Sequence, residues 1–86
     1  MIKIKQLIWD DWNVKHIGKH KITVDEVGEV CRFVKKVLKT YQGRLVVLGK
    51  TKKDRSLTVV LAPKGKNKYY VVTARDTSKK ERRILK

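Results

Sequence analysis

Residues 44–75 decide the fold, and they read RLVVLGKTKKDRSLTVVLAPKGKNKYYVVTAR. Three runs rich in apolar and β-branched residues are separated here by two short polar segments that contain lysine, aspartate, glycine and asparagine. Such runs favour strands, and such short segments favour tight reversals of the chain. The stretch therefore predicts an antiparallel meander of three strands, at about 44–50, 57–62 and 68–75.

The residues before this meander predict a strand and a short helix. The segment Ile2–Trp9 alternates apolar and charged residues, as a strand with one buried face does. Asp10 or Asp11 can then cap a helix that spans 12–19, and Gly18 would weaken its end.

A second helix follows, and its end is ambiguous. Thr23 and Glu26 form a capping box, and apolar residues follow at helical spacing. From Val34 to Leu38 the pattern fits both a helix and a strand, and the helical period alone favours continuing to Leu38. A further capping box at 78–81 predicts a terminal helix to about Leu85. The predicted class is α+β, a single domain over 1–86 in the order β-α-α-(β)-β-β-β-α with an antiparallel sheet packed by helices.

The charge of the chain predicts its kind of partner. It carries 23 Lys and Arg against 8 Asp and Glu, a formal net charge of +15. The excess is +4 over residues 1–43 and +11 over residues 44–86, since the latter hold 14 basic and 3 acidic residues. A surface of this kind favours a polyanion, such as nucleic acid. With a single cysteine, no signal peptide and no membrane-spanning apolar run, the expected location is the cytoplasm, with no membrane contact.

An ordered set of residues covers nearly the whole chain: Trp9, Asp10, Asn13, His16, His20, Ile22, Thr23, Glu26, Gly43–Arg44, Leu48–Thr51, Leu57–Pro63, Thr73–Arg75 and Glu81–Arg83. This set resembles the BrnT-like ribonuclease toxins. The resemblance implies a RelE/ParE-like toxin fold, in which the second helix ends near Phe33 and 37–41 is extended. It also implies an RNA-cleaving toxin of a type II toxin–antitoxin system, one that inhibits translation and is neutralised by a BrnA-like antitoxin.

Cleavage of RNA through its 2′-hydroxyl needs a proton acceptor, cations near the phosphate oxygens and a proton donor, and it needs no metal or other cofactor. His16 and His20 are natural acid–base candidates, because histidine exchanges protons near neutral pH. The same pair could instead be structural, hydrogen-bonded to loop carbonyls. Zinc is the weakest reading, since only Cys31 and a few carboxylates could complete a site.

The last strand and the terminal helix supply further candidates. Arg75 would lie beside a helix N-terminus, and the two together would form a phosphate cradle. Alternatively, Arg75 is a surface arginine paired to Asp76 or Glu81. Glu81 is a candidate base, but a cap or an ion pair that orients Arg75 or Arg82 is favoured. The predicted catalytic set is His16, His20, Arg75, Glu81 and Arg82. The predicted RNA-binding set is Lys50, Lys52, Lys53, Arg55, Lys64, Lys66, Lys68 and Arg83.

The aromatic residues are interpreted chiefly as packing groups. Trp9 and Trp12 are predicted core residues that pin a strand end to a helix start. Tyr69 and Tyr70 point to opposite sides of a strand, so one is expected in the core and the other exposed, where it could stack on a base. Two other functions remain open on the sequence alone: a non-catalytic RNA- or DNA-binding module, and a cationic protein that binds an acidic partner.

Overall fold

Over the residues that the structure describes, the fold is a five-stranded sheet with two helices packed on one of its faces. The computed structural model describes residues 4–39 and 43–79. In chain order its elements are β1 (Gln6–Ile8), α1 (Asp11–Gly18), α2 (Val24–Arg32), β2 (Val34–Lys39), β3 (Leu45–Lys50), β4 (Ser56–Gly65) and β5 (Lys68–Asp76). No helix in the described part of the chain is long and apolar enough to span a membrane.

The strands lie in the order β1-β5-β4-β3-β2. The meander from β2 to β5 is antiparallel throughout, as predicted for its last three strands. The predicted α+β class with an antiparallel sheet packed by helices is confirmed, and one edge pair departs from it, since β1 pairs with β5 in parallel. Helices α1 and α2 carry the chain from this edge to the other, so β1 and β2 never become neighbours.

The core lies between the sheet and the helices. Helix α1 packs on β5, and α2 packs on β3 and β4. One cluster of buried side chains joins both helices to alternate residues of the strands, so both helices lie on the same side, here called the helix face. Its members are Ile17, Ile22, Val27, Val30, Val47, Leu57, Val59, Leu61, Val71 and Ala74. The opposite side of the sheet is called the far face.

Helix α2 ends where the family resemblance predicts its end, near Phe33, and not where the helical period predicts it, at Leu38. The helix ends at Arg32, with Phe33 as its C-cap, and the next residue already belongs to a strand. Continuing the helix to Leu38 is wrong, because Val34 to Lys39 pair with β3. Gly49 allows the end of α2 to lie this close to β3, since a Cβ at Gly49 would lie only 3.1 Å from Val30 Cγ1 and 3.2 Å from the Phe33 carbonyl oxygen.

Two strand boundaries and one core residue differ from the prediction. Within the described residues β1 covers only Gln6–Ile8, and β4 continues beyond Ala62 through Pro63 to Gly65. The proline is tolerated because the register between β4 and β5 shifts at that point. The prediction that Trp12 is a core residue is wrong, since 57% of it is exposed. The predicted terminal helix lies outside the described residues except for its first two positions.

Candidate nucleic-acid interface

Helix α1 is fixed at its start by a buried asparagine. The Asn13 N–H donates to Asp10 Oδ1 at 2.9 Å, and the Asp10 N–H donates to Asn13 Oδ1 at 2.8 Å. Asn13 Nδ2 also donates to the Ile8 carbonyl oxygen at 2.9 Å, which ties the helix to β1. Asp10 is therefore the N-cap, and its capping box ends in asparagine rather than in the usual glutamate.

Tyr70 on β5 binds the same N-cap. Its hydroxyl donates to Asp10 Oδ2 at 2.9 Å, so α1 is tied to β5 as well as to β1. The hydrogen bond from the Asn13 backbone, and more weakly that from Tyr70, holds the pKa of Asp10 below its usual value. Partial burial, with the Asp10 contact, raises the pKa of Tyr70. Tyr69 packs against the core, and Tyr70 is half-buried, so neither tyrosine is the freely exposed ring that was expected.

Three rings line the exposed side of α1. Trp12 stacks on His16 with ring centroids 4.9 Å apart and planes inclined by 9°. His20, in the turn after the helix, meets His16 edge-on with centroids 5.8 Å apart. Trp12, His16 and His20 are therefore aligned in one row, and the tryptophan faces solvent. These three rings are called the aromatic ladder below.

Arg55 joins three segments at one end of the sheet. Its Nε and Nη2 donate to the two carboxylate oxygens of Asp76 at 2.9 and 3.2 Å. Its Nη1 donates to the Lys21 carbonyl oxygen at 2.8 Å and to Glu26 Oε2 at 3.2 Å, and Nη2 reaches the His20 carbonyl oxygen at 3.3 Å. These bonds occupy all the N–H donors of the guanidinium group. Hydrogen bonding to Asp76, and secondly to Glu26, raises the pKa of Arg55.

The role found for Arg55 differs from the predicted one. Because every donor is engaged within the chain, a phosphate could bind it only by displacing one of these partners. Arg55 is therefore better described as the residue that fixes the α1–α2 turn to the end of β5. The sequence signal for this role is weak, since Arg55 stands among lysines that look equivalent to it.

Arg75 lies on the far face near the same end. Its neighbour Ala74 belongs to the core on the helix face, so the alternation of the strand places Arg75 on the opposite side. It pairs in register with Thr58, and its Nη1 approaches the backbone oxygen of Asp76 at 3.4 Å. Arg75 thus contacts the backbone of Asp76, whereas the carboxylate of Asp76 binds Arg55.

Of the predicted catalytic residues, His20 and Arg75 thus lie at one end of the sheet but not on one face. The end is formed by the last residues of β3 and β5 and the first of β4, namely Lys50, Asp76 and Ser56, and is called the Asp76 end. His20 reaches it from the helix side through its carbonyl contact with Arg55. Arg75 lies on the far face. Glu81, Arg82 and Arg83 lie outside the described residues.

The predicted RNA-binding lysines divide between the two ends of the sheet. At the Asp76 end, Lys50 forms an exposed ion pair with Asp54 at 3.3 Å, and the backbone N–H of Lys52 donates to Glu29 Oε1 at 3.1 Å. Exposed Lys53 lies in the same turn. Three other lysines surround the β4–β5 turn at the opposite end of the sheet, roughly 30 Å away along β4. These are Lys64, Lys66 and Lys68.

The zinc interpretation finds no support among the residues that the structure describes. No group of three or more His, Cys, Asp and Glu side chains is arranged there to hold a metal ion. Cys31, the candidate third ligand, is half-buried, and burial raises the pKa of its thiol to about 12. That environment opposes the thiolate form that a metal needs.

These features define a small, strongly basic α+β protein with cationic groups at both ends of its sheet and an exposed row of rings on one helix. The chain is similar to a solved structure, the 1.1 Å crystal structure of the Brucella abortus ribonuclease toxin BrnT. The two share 26% sequence identity with a TM-score of 0.71, over 86% of this chain and 97% of the toxin chain. No family model and no curated protein sequence matches the chain. The fold is therefore that of the BrnT toxin.

Proposed function

We propose that this protein is an RNA-cleaving toxin of the BrnT type, a member of the RelE/ParE-like superfamily that acts in the cytoplasm to inhibit translation. The observation that carries the proposal is the likeness to the Brucella ribonuclease toxin, which extends over 86% of the chain at a TM-score of 0.71. The whole of 1–86 is taken as one toxin domain.

The electrostatics support RNA as the substrate. A net charge of +15 on 86 residues attracts a polyanion and makes its binding sensitive to salt. The two lysine groups lie at opposite ends of the sheet, so one RNA strand that contacts both must run along the molecule.

The proposed cleavage site is the Asp76 end. Arg75 would bind the scissile phosphate from the far face, where Lys50 lies two strands away, roughly 10 Å across the sheet. His20, with His16 behind it, would exchange protons with the 2′-hydroxyl or the leaving 5′-oxygen from the helix side. Glu81 and Arg82 are proposed to orient or supplement Arg75, and Arg83 to bind a neighbouring phosphate. The reaction would need no metal or other cofactor.

A second function is favoured by one observation. Because His16 and His20 lie on the helix side and Arg75 on the far face, the described residues do not form a compact catalytic group. A non-catalytic RNA-binding module on this fold would need only the cationic surface and the aromatic ladder. The two functions differ in whether the RNA is cut.

The proposed antitoxin partner is a BrnA-like protein. A basic surface of this strength is well matched by an acidic segment, and such a segment across the Asp76 end would mask Arg75. Co-expression of that partner should then restore the growth of cells that the toxin arrests.

The test is a panel of variants assayed on single-stranded RNA in the presence of a metal chelator. Arg75→Ala is expected to lower the cleavage rate roughly 100-fold or more, since it removes the cation nearest the phosphate. His20→Ala should lower it less, and Lys35→Ala is the matched control, because it removes one exposed charge from the edge strand β2. If the wild type and every variant bind RNA tightly and none of them cuts it, the RNA-binding module replaces the ribonuclease as the function.

A further inference from the structure

Trp12 is largely exposed and does not belong to the core cluster of the described residues. The buried residues of α1 are Asn13 and Ile17, and these already anchor the helix to the sheet. Trp12 keeps 57% of its surface exposed although His16 covers one face of its ring. The exposed surface therefore lies on parts of Trp12 that His16 does not cover.

The stack with His16 fixes the orientation of the ring. Planes inclined by 9° with centroids 4.9 Å apart are an offset-stacked pair, the arrangement that aromatic rings prefer. His20 closes the row from the other side of His16. Because the imidazole supports the indole from behind, a planar ligand that reaches Trp12 meets a ring that is already oriented.

Exposed lysines follow Trp12 along α1 and in the turn after it. These are Lys15, Lys19 and Lys21. The nearby carboxylate of Asp10 is already engaged by Asn13 and Tyr70, and Asp11 is the other acidic residue at the helix start. A flat aromatic surface next to lysines matches a base attached to a phosphate backbone.

We propose that Trp12, backed by His16, is a stacking platform for one unpaired base of the RNA strand. The inference rests on the proposed function and adds to it the requirement that the substrate be single-stranded where it crosses α1. His16 is on this reading a positioning residue for the indole, and His20 is the histidine left nearer the Asp76 end.

The path of the helix connects this platform to the proposed cleavage site. Asp10 at the start of α1 is held by Tyr70 near the start of β5, and His20 after its end is joined through Arg55 to Asp76 at the end of β5. Helix and strand thus run in the same direction. Trp12 lies about 9 Å along the helix axis from Gly18, so a strand stacked on it reaches the Asp76 end within a few nucleotides.

The experiment compares two uncleavable probes by fluorescence titration: an oligoadenylate with methylated 2′-hydroxyls and an abasic oligomer of equal length. The oligoadenylate should quench tryptophan emission and the abasic oligomer should not, and the quenching should disappear in Trp12→Phe. Trp12→Leu should weaken binding of the oligoadenylate roughly 5- to 100-fold, and Trp12→Phe much less. Phe33→Leu is the matched control, because Phe33 is also an exposed aromatic residue, 62% exposed, outside the ladder.

Equal affinity of wild type and Trp12→Leu for the oligoadenylate, with no quenching, would overturn the platform and leave the ribonuclease function intact. The same conclusion would follow if Trp12→Leu bound RNA normally but lost binding to the antitoxin. Should Trp12→Leu fail to fold, the quenching difference between wild type and Trp12→Phe decides. Cleavage lost in Arg75→Ala alone tests the ribonuclease function separately.

Discussion

At the scale of single residues, the helix caps were predictable and the exposed tryptophan was not. Asp10 and the Thr23–Glu26 capping box follow from residue types at fixed spacing, and both are confirmed. The sequence predicts Trp12 in the core, as an aromatic residue that pins a helix start to a strand end. The period of Asn13 and Ile17, the buried positions of α1, would have placed Trp12 to one side of the buried stripe. Because Asn13 is polar, the apolar spacing of the sequence does not reveal this buried stripe.

The cap of α1 should make stability depend on acid pH. Since the pKa of Asp10 is lower in the folded protein than in the unfolded chain, its contribution is fully present above the ordinary carboxyl value of 3.8 and is lost as the pH falls through the lower folded value. Asp10→Asn keeps an acceptor for Asn13 but cannot titrate. We therefore expect the difference in unfolding midpoint between wild type and Asp10→Asn to shrink as the pH is lowered from about 6 to about 2.5. Parallel curves over that range would contradict the assignment.

At the scale of elements, the sequence predicts the strands of the central meander but not the boundary between α2 and β2. The strands β3 and β5 match their predicted ranges closely, because apolar runs between polar turns leave little choice. The start of β2 could not be derived from period alone, since Val34 to Leu38 fits a helix and a strand equally well. Pairing with β3 decides it, and that pairing is a contact between residues distant in sequence.

Arg55 is the clearest prediction at this scale. Arg55→Met removes the link between the α1–α2 turn, α2 and β5, and should lower the free energy of unfolding by about 1–3 kcal/mol, the range for losing charged hydrogen bonds that are partly exposed. Arg55→Lys keeps the charge without the planar fork and should recover only part of the loss. Urea denaturation measures both, with Lys53→Met from the same turn as the control. An Arg55→Met protein as stable as wild type would show that the network is not structural.

At the scale of the whole molecule, composition indicates a polyanionic partner but not the position of the site. The excess of positive charge is a property of the sequence, but its division between two ends of the sheet depends on the register of β3, β4 and β5. The same register places Ala74 in the core on the helix face. Its neighbour Arg75 therefore lies on the far face, away from His16 and His20. The parallel β1–β5 pair is also a property of topology, since no local pattern states which strand a short edge segment joins.

The central claim is that this chain cuts RNA, and the most direct measurement uses two oligonucleotides of one sequence. The first is RNA, and the second replaces every 2′-hydroxyl with hydrogen. Purified protein with a metal chelator should cut the RNA, leave 2′,3′-cyclic phosphate ends and leave the deoxy strand whole, because the 2′-oxygen is the attacking group. Intact RNA at excess protein, or equal cleavage of both strands, would contradict the account.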